Sequence, residues 1–139
     1  KNMGRLRFTE KVLLPILYEE DRMNQRETGA IYEKKALDYL LKQGCWLVQK
    51  NYRCPRGEID LIVWDGDYLV FVEVKYRKGS GCGNPLEAVT LEKQRKISRT
   101  AAWYLYQTYR DKEVPCRFDV VGICDGQIQW IQDAFEYIG

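Results

Sequence analysis

The chain has 139 residues, 45% of them hydrophobic and 30% charged, with a net charge of +2. That is enough apolar content for one packed core, too much for a disordered chain, and a length that suits one domain. No histidine is present, which removes the serine and cysteine–histidine hydrolase arrangements and leaves carboxylates, lysines and a metal ion as the means of any catalysis.

Residues 1–22 read as an N-terminal extension ahead of a single domain over 23–139. Within them VLLPILY (12–18) is too short to span a bilayer, and charged EEDR follows it where a signal peptide would carry small residues. No membrane association is therefore expected, and a cytoplasmic location is. Asn24 with Glu27 three positions on marks a helix start. The helix is expected over about 25–43, with Ala36, Leu37, Leu40 and Leu41 as its apolar stripe and Gly44 as its stop. Glu33 stands one turn before Leu37, at the edge of that core-facing stripe. WLVQKNYR (46–53) reads as a strand, and CPRG leads into a hairpin over 57–77, GEIDLIVWDGDYLVFVEVKYR. KGSGCGNP (78–85) is a Gly-rich loop. A second helix is expected over 91–109, with Ile97, Ala101, Tyr104, Leu105 and Thr108 inward and Gln94 preceding Ile97 on that face. Two strands, 117–124 and 127–131, are joined by Asp125-Gly126, a strong hairpin signal. The order is α-β-β-β-α-β-β, a mixed α/β domain. The four tryptophans, Trp46, Trp64, Trp103 and Trp130, are assigned to the core. Five cysteines at 45, 54, 82, 116 and 124, with no CxxC spacing, are expected as free thiols in a reducing compartment rather than as a zinc site.

The hairpin carries three acids and a lysine inside apolar runs. By alternation Glu58, Asp60, Ile62 and Trp64 share one face of the first strand, and Ile59, Leu61 and Val63 the other. In the second strand Leu69, Phe71, Glu73 and Lys75 share a face. A two-residue Gly66-Asp67 loop sets Asp60 opposite Glu73 and Glu58 opposite Lys75; an Asp65-Gly66 turn makes Asp60 diagonal to Glu73. Acid–lysine alternation also occurs on the wet face of a sheet, where cross-strand ion pairs form. Here both faces are largely apolar, two acids oppose each other, and Glu33 approaches from a helix. Paired carboxylates at that distance repel unless a cation separates them. Oxygen ligands from two acids suit Mg²⁺, with Mn²⁺ as a substitute, and Lys75 stands beside them for a water or an anion. That is the equipment of phosphodiester hydrolysis.

The charge distribution points the same way. Lys75, Arg77, Lys78, Lys93, Arg95, Lys96 and Arg99 face only Glu87 and Glu92 over 75–99, whereas 111–139 is acidic. A basic middle suits a polyanionic partner, although a charge run is also an ordinary solvated surface. Arg53, Arg56, Arg77, Lys78, Lys93 and Lys96 are candidate nucleic-acid contacts. Gln94 is either an accessory site residue or a helix-edge amide, and Asp119 is a structural partner for a nearby arginine.

Asp60 followed by Glu73-Val-Lys75 resembles the PD-(D/E)xK nuclease pattern, with Ile59 where the proline stands. GEIDLI, FVEVKYR, the G-A-x-x-E of Gly29–Glu33, CRFDVV (116–121) and WIQDAF (130–135) together resemble the YraN-type family of endonuclease-like proteins, over about residues 23–135. That family resembles Holliday-junction resolvases. The resemblance implies a restriction-endonuclease-like fold, Asp60 and Glu73 as metal ligands, Lys75 as the residue that orients or activates water, and Glu33 as a further acid at the site. It implies DNA as partner, including branched DNA, and a homodimer by analogy with junction cutting. Two readings result: a metal-dependent endonuclease, or a non-catalytic nucleic-acid-binding module on the same fold. Retention of Glu33, Asp60, Glu73 and Lys75 favours the enzyme.

Overall fold

The structure, a computed structural model, describes residues 24–79 and 81–139, and the expected extension over 1–22 lies outside them. The chain divides into two units, Lys1–Ile31 and Tyr32–Gly139. Of the first, only the opening of helix α1 (residues 24–42) is described; the rest of that helix and the whole sheet belong to the second.

Five strands form one sheet in the order β1-β2-β3-β4-β5. They are β1 (Trp46–Cys54), β2 (Gly57–Asp65), β3 (Tyr68–Arg77), β4 (Cys116–Cys124) and β5 (Gln127–Phe135). All neighbours are antiparallel except β3 and β4. A parallel pair needs a crossover, and α2 (Leu91–Tyr109) supplies it. The mixed sheet with its two helices has the order α-β-β-β-α-β-β read from the sequence and is consistent with the restriction-endonuclease-like fold that the resemblance implies. β5 runs four residues further than expected, and the Gly-rich loop continues into a short 3₁₀ turn, Pro85–Ala88. No helix among the described residues is long and apolar enough to cross a membrane.

Turn chemistry fixes the register. Leu61 pairs with Val72 and Asp65 with Tyr68, so the loop is Gly66-Asp67. Of those two residues only Gly66 has positive φ (58°), as a type II′ turn requires. At the second hairpin Asp125 (50°) and Gly126 (80°) are both positive, the type I′ arrangement.

Each sheet face has its own core. On one, Ile97, Ala101 and Tyr104 of α2 pack against Ile59, Ile62, Leu69, Phe71, Phe118 and Val120. On the other, Ala36, Leu37 and Leu40 of α1 pack against Leu61, Val63, Val70, Val72, Val121 and Ile123. Three side chains assigned inward are not. Leu41 is 44% exposed and Trp46, at the start of an edge strand, 76%; Thr108 is exposed too. Ile59 is a more informative departure. It packs with Ile62 rather than with Leu61 and Val63, so strict alternation fails between 59 and 61.

The free-thiol expectation is corrected at two positions. Cys82 and Cys124 form a disulfide with Cα atoms 6.3 Å apart, whereas Cys45, Cys54 and Cys116 are free. The bond ties the Gly-rich loop to the end of β4. Nearby, a Cβ on Gly122 would lie 2.2 Å from Pro85 Cγ, so the 3₁₀ turn rests on bare strand backbone.

A polar network braces the opposite end of the sheet. Asp119 is fully buried and accepts from Arg117 Nε (3.0 Å), Trp130 Nε1 (2.8 Å) and the Asp133 amide (2.9 Å). Arg117 also bonds Asp65. Asp119 is thus the structural partner of an arginine, and the CRFDVV and WIQDAF segments are joined by it. Removing one member of a buried pair strands the other charge. Asp119→Ala is expected to destabilise the fold by about 3–5 kcal/mol, measured by urea unfolding.

Candidate active site

The β2–β3 ladder stops at Leu61 and Val72. Beyond it, Asp60 Oδ2 accepts the Val74 amide at 2.8 Å. A side chain has replaced the ladder bond, and the two strands part around it. On the other flank β1 carries Asn51 at φ 51°, a left-handed conformation that Asn tolerates better than most residues. The break explains why Ile59 lost its expected face. It also cancels the predicted pairing of Glu58 with Lys75: Glu58 instead meets Arg53 at 3.3 Å, on the surface.

Glu73 lies in the gap, only 5% exposed. Lys75 Nζ stands 3.7 Å and Lys93 Nζ 3.6 Å from the same Glu73 oxygen. Lys75 comes from β3 itself and Lys93 from the first turn of α2. Thr90 caps that helix, its hydroxyl accepting the Lys93 amide at 3.1 Å. A lysine in a first turn opposes the helix dipole, and the Glu73 carboxylate offsets this.

Two carboxyls are held far from their ordinary range. Burial, then the charge of Asp60 and a hydrogen bond with it, push Glu73 up to about 8 against the pull of Lys93 and Lys75. Burial, then Asp60 and Glu58, push Glu33 up to about 7, opposed by a hydrogen bond from Asn51 and by Arg53. Asp60 is the neighbour common to both. Glu33 therefore joins the site through Asp60, from the α1 side of the sheet. No three oxygens from Glu33, Asp60 and Glu73 lie mutually within 4.8 Å. Among the described residues the groups that do come so close are Cys82, Cys124 and Asp125, and a disulfide engages two of them.

The other sequence candidates are dispersed. Arg56 lies over the Trp103 ring at 5.8 Å. Arg77 donates to the Asn84 carbonyl at 2.9 Å. Lys78 and Lys96 are exposed. Gln94 donates to the Val89 carbonyl at 3.0 Å, which ties its amide to the turn ahead of α2. Lys93 sits at Glu73 rather than on the outer surface. Asn51 is a site residue that the sequence reading missed. Its signal was an Asn inside a strand, where that residue type is disfavoured.

Residues 32–123 match the family described as "Uncharacterised protein family UPF0102". The chain belongs to this family. A UPF0102 protein of Lachnoclostridium phytofermentans is 44% identical over 117 residues, covering 84% of this chain and 99% of its own. Others from Cupriavidus metallidurans (47%, covering 78% and 80%) and Psychromonas ingrahamii (48%, covering 78% and 88%) are similar. The YraN-type resemblance is borne out by these matches, and the UPF0102 span includes Glu33, Asp60, Glu73, Lys75 and Lys93.

The raised carboxyls link stability to pH. A carboxyl whose folded pKa exceeds its unfolded value stabilises fully below the unfolded value, and that stability is lost as pH rises through the folded one. Without divalent ions, this UPF0102 chain is expected to lose stability between about pH 4.5 and about pH 8, the window set by Glu73. Glu73→Gln should flatten that decline and raise stability at pH 8 by on the order of 2 kcal/mol. Thermal melts at closely spaced pH values check both.

Proposed function

We propose that this chain is a metal-dependent endonuclease that hydrolyses DNA phosphodiester bonds. The observation that carries the reading is a buried Glu73 carboxyl, pushed up to about 8 beside Asp60 with two lysines on one of its oxygens. Strongly perturbed acids with named charge partners mark functional sites more often than scaffold. The scaffold here has its own charge cluster around Asp119, fully satisfied; Asp119 pairs with Val72, next to Glu73 in the register but on the other face of the sheet.

The donor set fits a hard divalent cation. Asp60 is fixed by the Val74 amide through one oxygen, and Glu73 offers a second carboxylate whose burial disfavours its charge until a cation arrives. Two carboxylates with water completing the shell are what Mg²⁺ takes, which accords with three protein oxygens not closing on one point. When bound, Mg²⁺ or Mn²⁺ would supply a Lewis acid and a water of lowered pKa. The chain's own residues do the rest. Asp60 and Glu73 hold the cation. Lys75, 30% exposed, reaches solvent from beside Glu73 and orients the attacking water. Lys93, 34% exposed, offsets negative charge on the phosphate from the α2 side. Glu33, pushed up to about 7, is a proton-exchanging group on the far side of Asp60.

DNA is the substrate class that the chemistry and the basic 75–99 segment favour, and branched DNA is suggested by the family resemblance. Cleavage of single-stranded, duplex, flap and four-way-junction DNA in Mg²⁺ or Mn²⁺ tests the reading. Asp60→Asn is expected to abolish cleavage while DNA binding stays level or strengthens, because one repulsive charge is gone. Lys75→Ala is expected to lower the chemical step by about 10²–10⁴-fold with metal binding retained. Cation-independent cleavage would overturn the metal dependence, and no cleavage of any substrate with DNA binding intact would favour the non-catalytic module.

A further inference from the structure

Beside the carboxylates, a cleft of about 450 Å³ opens between the sheet and the 82–85 loop. Strand register explains its shape. Lys75, Gly122 and Gln129 form one cross-strand row, and Arg77, Cys124 and Gln127 form the next. The middle strand contributes Gly122, covered by Pro85, and Cys124, bonded to Cys82, so the floor is an apolar surface of proline and disulfide. The outer strands contribute long polar side chains, so the banks are high. Alternate strands lie about 10 Å apart. One bank is cationic and the other carries two amides, with the Pro85 ring between them.

The occupant is constrained by that layout. A phosphate belongs on the bank of Lys75 and Arg77, whose guanidinium is steadied by the Asn84 carbonyl and has further donors to offer. Asp125 lines the outer end and repels a second phosphate there. Across the floor, Gln127 and Gln129 each present a donor and an acceptor, the complement of a nucleobase edge. A paired base shows only its groove edges; a base that enters the cleft must leave the stack, and its Watson–Crick edge is then free. Lys75 belongs both to this cleft and to the Glu73 pair, so a nucleotide held here adjoins the phosphate over the carboxylates.

We propose that the cleft is a subsite for a single unpaired nucleotide, its phosphate on Lys75 and Arg77 and its base edge on Gln127 and Gln129. The proposal rests on the nuclease reading and narrows its substrate class to DNA with an unpaired nucleotide next to the cut, as at gaps, flaps and branch points.

The test uses the full chain in EDTA, so that no cleavage intervenes. Two duplexes are compared, one with a single unpaired 2-aminopurine nucleotide and one fully paired. The wild type is expected to prefer the unpaired site by about tenfold, with a change in 2-aminopurine fluorescence. Both glutamines are exposed, so Gln127→Ala/Gln129→Ala is expected to fold. It should lose the preference and keep its affinity for paired DNA. Equal binding of both duplexes by wild type, or a preference that survives in the double variant, would overturn the subsite. A preference that depends on the glutamines in a protein that cuts no DNA in Mg²⁺ or Mn²⁺ would support the subsite and overturn the nuclease reading alone.

Discussion

The structure turns on one unfavourable placement: Glu73, a buried carboxyl, stands next to Asp60. Burying one carboxylate is costly and setting a second beside it costs more. The fold keeps the pair by four means: the Val74 amide on Asp60, Lys75 from the same strand, Lys93 from the crossover helix, and protonation near neutral pH. Only the first of these serves the sheet, where it replaces a ladder bond. A valine at 73 would extend the core formed by Phe71 and its neighbours. The chain instead carries an acid there, which is the pattern expected where local stability is given up for a site.

The remaining architecture holds that placement still. The β2–β3 ladder must end so that Asp60 can take a strand's backbone donor, and the sheet compensates elsewhere. Asp119, Arg117, Trp130 and Asp65 tie β2, β4 and β5 together at the far end. The disulfide and the Pro85–Gly122 contact fasten the loop that leads to the Thr90 cap. That cap aims the turn bearing Lys93. The site thus depends on both faces of the sheet, with Glu33 arriving beside α1 and Lys93 from α2.

Much of this was legible in the sequence because it is periodic. The helices, the Asp125-Gly126 turn, the element order and the nearness of Asp60 to Glu73 come from spacing and turn residues, whereas the first turn stayed open between Gly66-Asp67 and Asp65-Gly66 until the register was known. What spacing cannot carry is a break in itself. The alternation rule placed Ile59 with Leu61 and Glu58 against Lys75; the strand irregularity at Asp60 undid both. Lys93 looked like surface charge because its partner, Glu73, lies on another element, the strand that α2 packs over. Cys82 and Cys124 met through tertiary contact, which an odd cysteine count conceals. Trp46 was assigned inward by residue type, yet an edge strand has no second layer to cover its end.

The central claim is that Asp60 and Glu73 together form a cation site. Calorimetric titration with Mn²⁺ at pH 7, on wild type and Asp60→Asn, in two buffers of different ionisation enthalpy, tests it most directly. The account predicts one saturable site in wild type, release of about one proton because Glu73 must ionise, and loss of both in the variant. Equal binding by the two proteins, or no binding by wild type even with DNA present, would contradict it.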